Sequence, residues 1–210
     1  WSRYFASVVA WIFVFLFLVL GLQIMKNEEF VRTMSRSGEP REFLKGTLFY
    51  ALVMAVCAIL MWYVPANPDG TANFAIFVPT AFLIFGPLAG GDGFADIIGR
   101  KWGKHKFKIF AEKSIEGSIA MFIFSILFTY GLLSIYWLII DQLSAWGTIS
   151  PIALFIPIIA VSLVTTIVEI LSPKNLDNLL IPIAAFIVIY LMAPIFFPLY
   201  NLVWTLFPTI

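Results

Sequence analysis

Six long apolar runs, separated by polar segments of unequal length, make up most of this chain. They fall at about residues 4–25, 46–64, 73–90, 117–140, 151–170 and 179–198. Each is too long and too uniformly apolar for a strand, and roughly 20 such residues let a helix cross the hydrocarbon of a bilayer. Backbone groups in lipid must satisfy one another, so a helix is predicted for every run. The sixth run continues without a charge from Leu179 to Trp204. As a helix it would measure about 39 Å against about 30 Å of hydrocarbon. A tilt, or a break near Ala193-Pro194 followed by an interfacial piece, is expected to absorb the excess. Pro79, Pro87 and Pro157 predict kinks that neighbouring helices tolerate.

Composition agrees with this pattern. Of 210 residues, 61% are hydrophobic and 12% charged, about half the charged share of an ordinary soluble domain. The predicted fold class is therefore an all-α integral membrane protein, a single polytopic domain over residues 1–210 with about six spans. Cys57 is the only cysteine, which excludes an internal disulfide and a cysteine metal cluster; it is expected to be a packing residue. The chain begins at Trp1 with no secretory cleavage pattern, so upstream residues are expected to be missing or processed.

The net charge of +1 hides an asymmetry. Lys26, Arg32, Arg36, Arg41 and Lys45 lie in one loop; Arg100, Lys101, Lys104, Lys106, Lys108 and Lys113 lie in another; Lys174 follows the fifth run. The intervening loops at 65–72 and 141–150 hold no Lys or Arg. Two spans separate each basic loop from the next, so all three fall on one side, which the positive-inside rule makes cytoplasmic. No nucleic-acid partner is expected.

Between the third and fourth runs the chain reads GDGFADIIGRKWGKHKFKIFAEKSIEGSIAM, Gly91 to Met121, with four of the twelve acids and six of the thirteen Lys and Arg residues. This is more polar chain than a connection requires, and it is the candidate active site. If the third helix continues across it, Asp92, Asp96 and Arg100 share one face at i, i+4 and i+8. Two carboxylates one turn apart suit a divalent cation bound to phosphates. Gly91 and Gly93, beside Gly90, allow a ligand to approach the backbone closely. Solvated acids at a helix end are the plainer reading of the same residues.

Lys113, Ser114, Glu116 and Gly117 open the fourth run, where unpaired N–H groups and the helix dipole favour phosphate. Ser114 can also be an N-cap, but the capping box lacks its Glu at the third position, so capping leaves Glu116 unexplained. Lys104, Lys106 and Lys108 are read as a solvated loop, and His105 as a loop residue. Ser162, Thr165, Thr166 and Glu169 form one polar stripe on the fifth run; an acid at that depth is costly and points to a function. Asp177 and Asn178 begin the sixth run, and Asp177 is also a good helix cap. Together Asp92, Asp96, Glu116, Glu169 and Asp177 make a candidate cage for Mg²⁺ and a polyphosphate. A transporter would place its polar groups near the bilayer midplane; these acids collect at one face, which favours an enzyme acting on a lipid with a nucleotide.

At these residues the chain resembles the CTP-dependent polyprenol kinase branch of the phosphatidate cytidylyltransferase superfamily, and within it the phytol kinases. GDGFADIIGRKWGK followed by KSIEGSIAMF is similar to the family's signature loop. SPKNLDNLLIP is similar to its later DNL-x-x-P motif, and RSGEPREFLKGTLFY to the loop before the second span. The family pattern also has an N-terminal span with a basic Arg-Lys and His motif, which nothing here matches. The resemblance implies phosphoryl transfer from CTP or another NTP to an isoprenoid alcohol among membrane lipids, with Mg²⁺ as cofactor. It also implies a bacterial plasma membrane or a plastid membrane, with the site facing the cytoplasm. Asp92 and Asp96 would then hold metal and nucleotide phosphates, with Arg100 and Lys113 on phosphate oxygens. Glu116, Glu169 or Asp177 would ligate metal or accept the hydroxyl proton, and the face of Pro157 and Ser162–Thr166 would line the lipid groove. Synthesis of CDP-diacylglycerol from phosphatidate is the superfamily's other reaction.

Overall fold

The computed structural model describes residues 2–24, 29, 31, 33, 43–60, 80–140, 151–173 and 176–196. Most of the first basic loop, residues 61–79, the loop at 141–150, Lys174 and the chain beyond residue 196 lie outside the described residues.

The described elements are helical except for one small hairpin. Helix α1 spans Ser2–Gly21. It ends in a left-handed turn at Gln23 (φ 58°), where Ile24 N–H donates to Val19 O and Gln23 N–H to Leu20 O. These bonds satisfy carbonyls that the last turn leaves open. A π-helical turn, Phe43–Thr47, leads into α2, Leu48–Leu60. Helix α3, Thr80–Phe85, passes through a second π-helical segment, Gly86–Gly91, into α4, Asp92–Trp102. Strands β1, Lys106–Lys108, and β2, Glu112–Ser114, pair antiparallel. Then come α5, Ile115–Ile140, α6, Pro151–Leu171, and α7, Asp177–Phe196.

Three of these stretches are long and apolar enough to cross a membrane: Ala81–Trp102, Ile115–Ile135 and Leu154–Leu171. Ser7–Gly21, Leu48–Ala58 and Asp177–Met192 are shorter apolar helices. The third span differs from the run predicted to end at residue 90. The rod continues to Trp102, because the π-helical segment carries the chain past Pro87 without stopping it. Proline has no N–H to give, and the wider turn makes room for its ring; Asp92 N–H reaches back to Pro87 O. The break expected near Ala193-Pro194 is also not there, since α7 passes through both residues to Phe196.

The interior forms where the rod, α5, α6 and α7 meet. Leu83, Ile84 and Leu88 pack with Met121, Ile158, Val161, Ile181, Ala185 and Ile189. On α7 the buried positions recur at i, i+4 and i+8, while Ile183, Ile187 and Leu191 point outward. Apolar residues all round a helix suit a body solvated by lipid. Helix α1 packs instead on α2 through Phe17, Leu20 and Ala51.

The rod lies against α5 so closely that its glycines leave no room for a side chain. A Cβ on Gly90 would meet Phe128 Cβ at 2.5 Å, and one on Gly86 would meet the Thr129 Cα at 2.8 Å. Small residues bring membrane helices this close because lipid offers no hydrophobic drive to hold them together. Phe94 then stacks on Phe124, ring centroids 3.9 Å apart. We expect Gly86→Ala to destabilise the folded protein by about 1–3 kcal/mol. Gly131, where an added Cβ meets nothing within 4 Å, should tolerate alanine or gain up to about 1 kcal/mol in its helix. Unfolding of both variants in detergent checks the contrast.

Candidate active site

Where the rod leaves the bundle, α4 turns Asp92, Gly93, Asp96, Gly99 and Arg100 toward a cavity of about 1020 Å³. The helical period brings Asp92, Asp96 and Arg100 to one face, as their spacing predicts. Arg100 Nε donates to Asp96 Oδ1 at 2.8 Å and Nη2 to Asp96 Oδ2, a two-point contact. Gly93 meets no neighbour within 4 Å of an added Cβ, so its backbone is open to a ligand. Gly91 is different. It is buried against Ser125 and Met121 of α5, where it serves helix packing, and it does not line the cavity.

The hairpin supplies the next wall. Lys106, Ala111, Glu112, Lys113 and Ser114 line the cavity, and Lys106 Nζ donates to Glu112 Oε1 at 2.8 Å. Ser114 caps α5, its Oγ accepting the Gly117 N–H at 3.1 Å, which satisfies one open donor of the first turn. Glycines at 99, 103 and 117 crowd around that hydroxyl, so α4 and α5 cross at the cap. Both Ser114 and Gly117 edge the cavity; their mutual bond uses the Gly117 N–H, while the Ser114 hydroxyl keeps its own donor.

Glu116 turns away from the cavity. Its carboxylate accepts the His105 backbone N–H at 3.2 and 3.3 Å and contacts His105 Nδ1 at 2.7 Å. It therefore ties the hairpin to α5 rather than joining the other acids. Among the described residues no group of three or more His, Cys, Asp or Glu side chains forms a metal-ligand set. Of the five acids of the candidate cage, Asp92, Asp96, Glu169 and Asp177 line the cavity and Glu116 does not.

What the fold does assemble is a buried ionic cluster. Lys113 Nζ donates to Glu169 Oε1 at 2.6 Å and to Asp177 Oδ2 at 3.5 Å. The three side chains are only 16%, 5% and 18% exposed. Two of the lysine's three donors are thereby used. Glu169 sits in the last turn of α6, where Ser172 Oγ bonds its carbonyl. Asp177 begins α7 and accepts the Asn178 N–H at 3.0 Å. Among the described residues Glu169 Oε2 is buried with no hydrogen-bond partner; an unmade bond at a buried polar group costs about 1–3 kcal/mol. Burial alone would lower the Lys113 pKa, but Glu169 and then Asp177 and Asp92 more than reverse this, and it lies above the ordinary lysine value.

The opposite wall is apolar: Val9, Ala10, Phe13 and Phe17 of α1 with Ala51 and Met54 of α2, joined by Tyr50. The polar stripe of α6 does not supply it, contrary to its expected role. Thr165 Oγ1 bonds back to Val161 O and Thr166 Oγ1 to Ser162 O, each at 2.7 Å. With Pro157 and Ser162 these residues are buried in the bundle and stand outside the cavity lining. Nothing in the sequence pattern marked the α1 wall, Glu112 or the Glu116–His105 tie, and Lys106, expected in a solvated loop, lines the cavity instead. A signal existed only for Tyr50, which ends the motif preceding α2.

The chain is 31% identical over 191 residues to "Probable phytol kinase 1, chloroplastic" of Glycine max, covering 90% of this chain and 57% of that protein. It is 33% identical over 193 residues to "Phytol kinase 1, chloroplastic" of Arabidopsis thaliana, covering 90% and 57%. "Probable phytol kinase 3, chloroplastic" of Glycine max is 35% identical over 191 residues, covering 90% and 54%. No family model matches the chain, and no solved structure matches it. The chain thus spans a little over half the length of these relatives, and over nine-tenths of its own length it is phytol-kinase-like.

Breaking a buried pair leaves an uncompensated charge, so Lys113→Met and Glu169→Gln should each destabilise the protein by about 3–5 kcal/mol. The double variant should recover much of that loss, which a double-mutant cycle in detergent measures. Because the folded Lys113 pKa is raised, its contribution is fully present below the ordinary lysine value. It is lost only as the pH rises through the raised one. Alkaline unfolding of the wild type, but not of Lys113→Met, should show that step.

Proposed function

We propose that this phytol-kinase-like chain is the membrane core of a lipid kinase that moves the γ-phosphoryl group of CTP, or another NTP, to a long-chain isoprenoid alcohol such as phytol. One observation carries the reading: a single cavity has an apolar wall from α1 and α2 and, opposite it, a wall of carboxylates and cations. A lipid alcohol needs both, an apolar surface for its chain and a polar end at its hydroxyl. Val9 and Phe13 line the cavity and are also exposed on the outside of α1, so the chain of the acceptor would enter there from the bilayer. The similarity to phytol kinases, whose names place them in chloroplasts, supports the same acceptor and a plastid membrane.

The polar wall holds five carboxylates, Asp92, Asp96, Glu112, Glu169 and Asp177, against three cations, Arg100, Lys106 and Lys113. A polyphosphate brought to that excess of negative charge needs a compensating cation. Asp92 and Asp96 suit Mg²⁺, which takes one or two carboxylates and completes its shell with phosphate oxygens and water. When bound, the metal would neutralise charge on the transferring group. The protein's own share is placement. Gly93 lets phosphate approach the backbone, Arg100 and the remaining donor of Lys113 hold phosphate oxygens, and Lys113 keeps Glu169 oriented through Oε1. The unpartnered Oε2 is the group we assign to the acceptor hydroxyl. It accepts the proton as the alcohol oxygen bonds to the γ-phosphorus and the β–γ bridging oxygen leaves with CDP.

The test reconstitutes the protein in liposomes with Mg²⁺, γ-labelled CTP or ATP, and phytol, farnesol, a long polyprenol, diacylglycerol or phosphatidate. Label in an isoprenoid phosphate is expected; label released as pyrophosphate, with phosphatidate alone, would replace the kinase reading by the cytidylyltransferase one. Asp92→Asn should lower turnover by roughly 10²–10³-fold while inserting and folding normally, and full activity in that variant would sink the phosphate-site assignment. Gly93→Ala should leave unfolding unchanged and raise the KM for nucleotide.

A further inference from the structure

Residues 103–114, including the hairpin, connect two helices that cross the membrane, Ala81–Trp102 and Ile115–Ile135. Each strand has three residues, about 10 Å of chain, and the headgroup layer on either side of the hydrocarbon is roughly 5–8 Å deep. A hairpin this short, rooted where the two helices end, begins within the headgroup layer.

Its two sides differ. Lys106, Glu112 and Lys113 belong to the cavity wall. The turn carries Ile109 and Phe110, 52% and 66% exposed, and Trp102 at the base is 54% exposed. Lys101, Lys104 and Lys108 surround them, all exposed, with Lys101 Nζ 4.7 Å from the centre of the Trp102 ring. The acids nearby are already engaged: Asp96 pairs with Arg100, Glu112 pairs with Lys106 and lies opposite Lys108 across the hairpin, and Glu116 is hydrogen-bonded by His105. What remains outward is apolar at the tip and cationic around it. Such a surface repels a second copy of itself. Aromatic and apolar side chains suit the headgroup layer, and lysines near the surface are attracted to anionic lipid.

We propose that the hairpin turn is an interfacial anchor for anionic phospholipid. Ile109 and Phe110 enter the headgroup layer while Lys101, Lys104 and Lys108 meet lipid phosphates, and the cavity wall on the inner side of the hairpin is held at that depth. The anchor does not depend on the phosphoryl-transfer reading and is tested without turnover. Cys57 is the only cysteine and is buried, so a Cys57→Ala background allows Phe110→Cys to carry an environment-sensitive fluorophore.

The labelled protein goes into vesicles of phosphatidylcholine, and of phosphatidylcholine with equal phosphatidylglycerol. In the anionic vesicles we expect severalfold weaker quenching by aqueous iodide and stronger quenching by nitroxide placed on the lipid headgroup or upper chain. Replacing Lys101, Lys104 and Lys108 together by Gln should remove the difference between the two vesicles. A label equally open to iodide in both would overturn the anchor, and equal burial in both would overturn its preference for anionic lipid. Burial that rises with protein concentration in detergent without phospholipid would assign the tip to a second copy and overturn the proposal.

Discussion

A single ammonium group draws together three parts of the chain that are distant in sequence. Lys113 comes from the second strand, Glu169 from the last turn of α6 and Asp177 from the first turn of α7. A charge so little exposed costs several kcal/mol unless it is paired. Pairing it demands that α6 end, α7 begin and the hairpin lie at one depth. That demand shapes the floor of the cavity: two of its carboxylates stand beside the lysine that keeps them there. Within the cluster the two oxygens of Glu169 are unequal, one held by Lys113 and one left without a partner. Such an asymmetry suits a group that must stay oriented and still accept a hydrogen bond.

The α4 part of the polar wall depends on how closely two helices approach. Gly86, Gly90 and Gly91 let the rod sink onto α5. The π-helical segment carries that contact past Pro87 and hands the chain to α4 with a shifted phase, since each residue added to a turn rotates the remainder of the helix by about 100°. Gly91 then packs inward while Asp92, Gly93 and Asp96 look into the cavity. Packing and chemistry occupy adjacent residues because the helix changes its winding between them.

Lipid and water meet at this site from opposite directions. The apolar wall of α1 and α2 is continuous with side chains exposed to the bilayer, and the polar wall lies at helix ends and on the hairpin. The hairpin has a part in both environments, with charged residues toward the cavity and an apolar turn away from it.

Much of this was legible in the residues themselves. Twenty-residue apolar runs in a chain with 12% charge admit only helices in a membrane. The spacing of Asp92, Asp96 and Arg100 put them on one face of any helix that crossed them. Ser114, expected as a phosphate ligand with a cap as the plainer reading, caps α5. These are local matters, decided by period, length and the hydrogen bonds of a single turn. Which glycine opened toward a ligand, Gly93 or Gly91, which acid joined the cavity, Glu169 or Glu116, and which helix formed the apolar wall were decided by tertiary structure. Each turns on the rotation of one helix against another, and that rotation is set by contacts between residues far apart in the chain, Gly90 with Phe128 and Lys113 with Glu169, which no local pattern encodes.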